Sequence, residues 1–551
     1  MASRAAWAGP LLACLAAVAL GWNAGGYRLL DPDEGRNAEV AREMLVTGDY
    51  VVPHLDGLPY LDKPVVYFAA AALAMRVLGP TELAARVPAY LATLATIAVL
   101  VWFARRRLGP WPGWVAGVAF ATLPLTLAYA HTAVFDSTLA FATTVAILGF
   151  FEGRVVLAWT CMAVGALTKG PVALAVPLVT MIPYAAVTGE SIRKLFAPRA
   201  VAAFGAVALP WFLVVTHHFP EFPGYVFGRE TFARFATARF HRTAPFWFYL
   251  PILGVGTFPW VVPALGGAAR WRALWSERRS ENARVSWLLV MWIVGPLAFF
   301  TLDQSKLPQY MLPVLPAVAL AAARGLERRG PAAGWPLAAL AALGLSVTLV
   351  VFAHGVFASL PLSAPEWGAI TPAARELACV LIAAAALAAW AARAHHVALG
   401  ALAFALPALC LPVIAAPVLG AVADDRSAAA LATAISPALG TDGRVLGVAA
   451  YPPSLPFYLR RGVAVATADG HELTSTYLTV FADRYRAVPA TPLLVPDAWR
   501  SALAHCPVRT VFVVHQGDGA RDLRAALSVL PLLASDAHYA AYGPCLPRGA
   551  L

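Results

Sequence analysis

The chain has 551 residues, 60% hydrophobic and only 13% charged, with a net charge of +11 and a mean hydropathy of +0.68. Soluble domains run nearer a quarter charged, so this composition excludes one or two soluble cores as the whole protein and points to a lipid bilayer as the main solvent. The excess Arg and Lys lie in short loops between apolar runs and form no continuous basic face, which excludes nucleic acid as a partner.

In chain order, apolar runs of spanning length fall at 5–22, 83–104, 112–131, 136–152, 155–168, 171–187, 200–216, 246–266, 285–302, 308–323, 332–355, 373–392 and 397–421. They predict a polytopic α-helical membrane protein of about thirteen spans. The first run is not followed by a convincing A-x-A cleavage site and reads as a retained span. With Arg4 inside, every even-numbered span ends in the cytoplasm. The loops placed there hold Arg105 to Arg107, Arg154, Arg193 to Arg199, Arg270 to Arg284, Arg324 to Arg329 and Arg393 to His396. Nearly all basic clusters thus fall on one side, as the positive-inside rule requires. The expected organisation is a transmembrane domain, 1–423, with periplasmic loops 23–82 and 217–245, then a periplasmic soluble α/β domain, 424–551. In that tail charges of both signs return, and short apolar runs such as Arg444 to Val448 and Thr510 to Val514 read as strands.

Six cysteines form no CxxC. Cys14, Cys161, Cys379 and Cys410 lie in apolar runs and read as small hydrophobes. Cys506 and Cys545 lie in the tail, where an oxidising compartment permits a disulfide and free thiols remain the alternative.

Ionisable groups gather in the outer loops. Asp31-Pro32-Asp33-Glu34 reads as a helix start, with Asp31 as cap, Pro32 in the first turn and Glu34 completing a capping box. Downstream, Ala38, Ala41 and Leu45 form an apolar stripe, with Glu39, Arg42 and Glu43 expected toward water. That reading leaves Asp33 without a structural task and makes it a catalytic candidate. Tyr60 and Lys63 follow in the same loop, and Lys306 and Tyr310 repeat the pairing between spans nine and ten. A Lys at such a place marks a membrane interface or supplies a cation for phosphate. His131 and Asp136 share the outer turn between spans three and four. An Asp at that depth is either a working acid or the partner of a Lys or Arg from a neighbouring loop. Arg229 and Arg242 belong to the charged second loop. His217, His218 and His241 come without HxxxH or HExxH spacing, so no metal site is assigned and a divalent metal stays open as a cofactor. A transporter would place such groups near the bilayer midplane; here they lie at the rim.

The stretch Asp33 to Met44, Gly48 to Pro53, Asp62-Lys63-Pro64, Leu167-Thr168-Lys169-Gly170, Arg242 to Pro251 and Ser305 to Tyr310 occur in the same order as in the bacterial aminoarabinose transferases, which the chain resembles over most of residues 30–320. Those enzymes are related to protein O-mannosyltransferases. The resemblance implies an inner-membrane glycosyltransferase of the C-type superfamily with a periplasmic α/β domain. It would move a sugar, with inversion, from a polyprenyl (undecaprenyl) phosphate donor to an envelope acceptor such as lipid A. It gives Asp33 and Asp136 the acidic catalytic positions and Lys63 and Tyr310 the donor phosphate, with Tyr60 beside them. Glu34, Arg36, Arg229, Arg242 and Lys306 complete the expected substrate-binding set. The chain departs from the family where Gly35 and Asn37 replace Thr and Tyr, and where Thr231 follows Glu230 in place of His; either change bears on the sugar or the acceptor. A transporter or flippase of a lipid-linked sugar, and a non-catalytic membrane scaffold, are the alternatives.

Overall fold

The structure, a computed structural model, describes residues 8–233, 243–265, 275–329, 342–346, 349, 362–394 and 396–547. In chain order its main helices are α1 (Ala8–Gly21), α2 (Asp33–Thr47), α3 (Val66–Leu78), α4 (Glu82–Arg107), α5 (Pro110–Ala121), α6 (Pro124–Ala130), α7 (Asp136–Phe151), α8 (Val155–Lys169), α9 (Val172–Thr188), α10 (Pro198–His218), α11 (Tyr249–Thr257), α12 (Val261–Leu265), α13 (Glu281–Leu302), α14 (Leu315–Arg329), α15 (Ala364–Arg393) and α16 (Val397–Asp425). Two compact units divide them. One takes the residues up to Ala24 and Pro88–Val418; the other takes Gly25–Val87 and everything from Leu419 onward.

The first unit is helical. Among the described residues six helices are long and apolar enough to cross a membrane, seven if the bent pair α5 and α6 is one span. Helices α7, α8 and α9 are apolar but shorter, and the run 246–266 is broken into α11 and α12. The span expected at 332–355 lies mostly outside the described residues. Helix contacts are close: a Cβ added at Gly295 of α13 would come within 2.4 Å of the Val179 carbonyl on α9, the small-residue approach by which helices pack in lipid. Buried indoles find partners, Trp260 on the Thr122 hydroxyl at 2.9 Å and Trp292 on the Pro313 carbonyl at 2.8 Å. Loop charges also pair. Arg107 grips Glu152 with two hydrogen bonds of 2.7 and 2.8 Å, and Arg284 pairs with Glu190.

The second unit joins residues 25–87 to an α/β domain. Residues 25–87 contribute α2, α3 and a small hairpin, β1 (His54–Leu55) and β2 (Leu58–Pro59). Helix α3 occupies part of what the sequence suggested was loop; its apolar run packs against α2. The α/β domain holds a six-stranded sheet in the order β5 (Leu493–Leu494), β4 (Val463–Ala466), β3 (Arg444–Val448), β6 (Thr510–His515), β8 (Tyr539–Cys545), β7 (Leu532–Ser535). Strands β3 to β6 run parallel, and β7 and β8 are antiparallel. The central strands β3 and β6 read as unbroken apolar runs because helices cover both faces of a parallel sheet. Cys506 and Cys545 form a disulfide, with Cα atoms 5.6 Å apart, which ties the helix Ala498–His505 to the end of β8.

The connection from β3 to β4 holds the 25–87 segment. Tyr451 donates to Asp56 at 2.5 Å, Ser454 to Asp31 at 2.7 Å, and Tyr458 accepts from the Leu29 amide at 2.9 Å while donating to Glu82. Beneath it lies the ion pair of Arg86 with Glu34, both buried. Breaking such a pair strands one charge away from water. Arg86→Ala is therefore expected to destabilise this unit by about 3–5 kcal/mol, read as a lowered melting temperature of the detergent-purified protein; an unchanged midpoint would refute the role given to the pair.

Candidate active site

The start of α2 places two neighbouring carboxylates on different faces, since successive helix residues are about 100° apart. Glu34 turns inward. Its oxygens accept from Arg86 at 2.9 and 2.8 Å and from the Leu30 amide at 3.0 Å. Arg86 also donates to the carbonyls of Tyr27 and Arg28, and its guanidinium lies 3.7 Å from the Tyr27 ring centroid. Asp33 turns the other way, its side chain half exposed, and accepts from Arg36 Nη2 at 2.5 Å. The helix begins without a side-chain cap. Asp31, expected to cap it, is instead half-buried and accepts from the Ser454 hydroxyl of the α/β domain.

Arg36 organises the rest of this group. Its Nη1 donates to the Thr474 carbonyl at 2.9 Å and hydroxyl at 2.8 Å, and the guanidinium lies 5.8 Å from the Tyr60 ring centroid. Burial opposes its charge, but Tyr60, Asp33 and Asp62 outweigh that and raise its pKa above the ordinary value. Lys63 Nζ donates to the carbonyl of Asp62 at 2.7 Å. Asp33, Arg36, Tyr60 and Lys63 therefore form one connected group, while Glu34 is committed to Arg86.

One expectation fails along α2. Glu39, Arg42 and Glu43 do not face water; all three are buried, with Asp56 beside them. The physical reason is pairing. Glu39 accepts twice from Arg42, at 2.7 and 2.6 Å; Glu43 accepts from the Gly57 amide; Asp56 accepts from Tyr451 and from the Val463 amide at 2.9 Å. Oxygens of Glu39, Glu43 and Asp56 lie within 4.8 Å of one another, close enough to hold a metal ion. Each carboxylate already has a protein donor, however, and the arrangement is equally that of carboxyls sharing protons. Burial pushes Glu39 up to about 7, raises Glu43, and lifts Asp56 well above the usual carboxylate range.

In the first unit, Asp136 opens α7 and Lys169 closes α8, and the two form an ion pair. Lys169 Nζ stands 4.8 Å from the ring centroid of Tyr310. Beside them Tyr129 donates to Gln309 at 3.0 Å, and the Ser137 hydroxyl donates to the Tyr129 carbonyl. Lys306 is buried, donating to the Asp303 carbonyl at 2.6 Å. The His131 ring meets the Leu20 carbonyl. The far end of α7 meets Arg107 through Glu152, so this cluster and a basic loop lie about 24 Å apart on one 16-residue helix. Arg229 is exposed on the π-helix Gly224–Ala233. Arg242 and His241 lie outside the described residues, and His217 and His218 are exposed at the end of α10.

Three residues were missed as site members. Lys169 ends an apolar run and falls, by the parity of the spans, on the same side as Asp136, so a signal existed. Arg86 is an isolated cation near the start of an apolar run, which demands a partner. Nothing in the sequence marked Thr474.

The buried carboxyls set a pH dependence. Unfolded carboxyls ionise near 4, whereas Asp31 and Glu39 hold their protons up to about 7 in the fold. The folded state therefore binds more protons between these values, and stability falls as pH rises through that window. The melting temperature should be higher near pH 5 than near pH 8, and Asp56→Asn, which removes one ionisable member beside Glu39, Glu43, Arg42 and His54, should flatten the slope. A flat profile in the unaltered protein would contradict the assignment.

Residues 62–218 match the family described as dolichyl-phosphate-mannose-protein mannosyltransferase. The undecaprenyl phosphate-alpha-4-amino-4-deoxy-L-arabinose arabinosyl transferase of Edwardsiella ictaluri is 34% identical over 385 residues, covering 66% of this chain and 67% of that one. The protein of the same name from Erwinia tasmaniensis is 33% identical over 388 residues, with the same coverage of 66% and 67%. The crystal structure of ArnT from Cupriavidus metallidurans bound to undecaprenyl phosphate aligns with a TM-score of 0.83 at 25% identity, over 97% of this chain and 98% of that one. Its apo form aligns with a TM-score of 0.82 over 98% of each chain, so the likeness of fold continues through the tail, where the sequence resemblance is weak. With the reaction type of its relatives and a multi-span helical body, the chain is a membrane glycosyltransferase and belongs to the aminoarabinose transferase family.

Proposed function

We propose that the chain transfers an aminoarabinose-type sugar from undecaprenyl phosphate to an envelope lipid such as lipid A, at the periplasmic face of the inner membrane. The observation that carries the reading is the group at the start of α2, a half-exposed Asp33 held by Arg36 and joined through Asp62 to Lys63. An acid and a cation are what the reaction needs: the bond from the sugar's anomeric carbon to the phosphate oxygen breaks, and the phosphate leaves with the electron pair. A new bond forms from the acceptor oxygen to the same carbon.

Lys63, with Lys306 and Tyr310, is assigned to the leaving phosphate, and Arg229 and Arg242 to the donor's approach. Asp33 orients the acceptor, and takes its proton when the acceptor is a hydroxyl; an ionised lipid phosphate brings no proton, and Asp33 then only positions it. Asp136, paired with Lys169, is assigned to the sugar-facing side. The periplasmic orientation is supported by the separation of the Asp136 cluster from the Arg107 loop along α7, in keeping with the positive-inside rule.

The test is mass spectrometry of lipid A and of the polyprenyl-phosphate pool in cells carrying the chain or its variants. The intact chain should add a sugar-sized mass to an envelope lipid. Asp33→Asn and Lys63→Ala should insert normally yet lower transfer by on the order of a hundredfold or more, with the lipid-linked sugar accumulating. Full transfer by either variant would overturn the site assignment.

A further inference from the structure

We propose that Thr474, in the α/β domain, is a positioning residue for the transfer reaction, acting through Arg36 on Asp33. The inference rests on the function proposed above and gives the tail domain a task in it.

Thr474 follows the 3-10 turn His471–Leu473 with a backbone φ of +53° and ψ of +28°. The left-handed region is costly for residues with a Cβ, and most of all for β-branched ones, while Gly or Asn enters it at less cost. A Thr kept in such a conformation calls for a role for its side chain. The structure supplies one: the Thr474 hydroxyl and carbonyl both accept from Arg36 Nη1, at 2.8 and 2.9 Å, while the other terminal nitrogen of the same guanidinium holds Asp33 at 2.5 Å. A planar fork held on one side fixes the direction of its other side.

The same loop holds the second half of the group. The Ser475 hydroxyl donates to Asp62 Oδ2 at 2.5 Å, and the Tyr477 amide donates to Asp62 Oδ1 at 2.9 Å. Asp62 directly precedes Lys63 and its carbonyl accepts from the Lys63 ammonium. Residues Thr474 to Tyr477 therefore hold Arg36 and Asp62 at once, and so set the spacing of the proposed acid, Asp33, from the proposed phosphate cation, Lys63. Small errors in such spacing lower rates steeply.

The experiment uses the full chain purified in detergent, with undecaprenyl-phosphate-linked 4-amino-4-deoxy-arabinose as donor and lipid A as acceptor. Rates and melting temperatures are compared for the unaltered protein and for Thr474→Val, Thr474→Ser and Thr474→Gly. Loss of a hydrogen bond to a charged group predicts that Val lowers kcat about ten- to a hundredfold, with a smaller change in donor KM. Ser, which keeps the hydroxyl, should stay within about twofold of the unaltered rate by the same reasoning. Gly relieves the backbone and removes the hydroxyl, so it should melt no lower than the unaltered protein and still be slow. A Val or Gly variant with the unaltered kcat overturns the role of Thr474 and leaves the proposed function standing. A Gly variant that loses rate only in step with lost stability shows a structural role and also overturns it. No transfer by the unaltered protein overturns the proposed function, and this inference with it.

Discussion

The guanidinium of Arg86, closed on both oxygens of Glu34 and on the carbonyls of Tyr27 and Arg28, is the anchor on which the start of α2 depends. Two carboxylates stand side by side there, and without a buried cation both would seek water. Arg86 meets the inward one with two donors of its rigid fork and turns others to the Tyr27 and Arg28 carbonyls. The rotation of the helix then leaves Asp33 outward, free for Arg36 and for whatever approaches its exposed side. A buried ion pair is weak evidence of stability in itself, because desolvation offsets much of the attraction. What it supplies here is direction, since only one rotation of α2 satisfies it.

Once α2 is fixed in that way, its remaining charges must be met inside the unit. Glu39, Glu43 and Asp56 bring three carboxylates to one place with Arg42 as the cation among them, and hydrogen bonds from Gly57, Tyr451 and Val463 take up the remaining lone pairs. Protons held well above the ordinary carboxylate range reduce the surplus negative charge. The two donors to Asp56, Tyr451 and Val463, come from the α/β domain, so the charge balance beside α2 is completed by a segment 395 to 407 residues away in the chain.

The departure from the family's usual motif at Gly35 follows from the same contact. A Cβ at that position would lie 2.1 Å from Asp31 Oδ1 and 2.6 Å from Ser454, too near for any side chain without a shift. Gly35 is thus explained by how closely the α/β domain approaches α2. Asn37, the other departure in the motif, is buried.

The sequence by itself determined that the chain lives in a bilayer, that its tail is an α/β domain, and that motifs around Asp33, Lys63 and Tyr310 occur in the order seen in the aminoarabinose transferases. Those properties are written in composition, in hydropathy over some twenty residues, and in local spacing, none of which needs the third dimension. Only the tertiary structure decided which of two adjacent acids is half exposed and which is buried, that Asp136 pairs with Lys169, and that the apparent water-facing stripe of α2 is buried. Helical periodicity gives the angle between side chains but not what covers each face, and the covering groups here, Tyr451, Ser454 and Thr474, come from far along the chain. Hydrogen bonds between residues so distant in sequence leave no pattern in either stretch alone, which is why Thr474 could be seen only after the chain had folded back on itself.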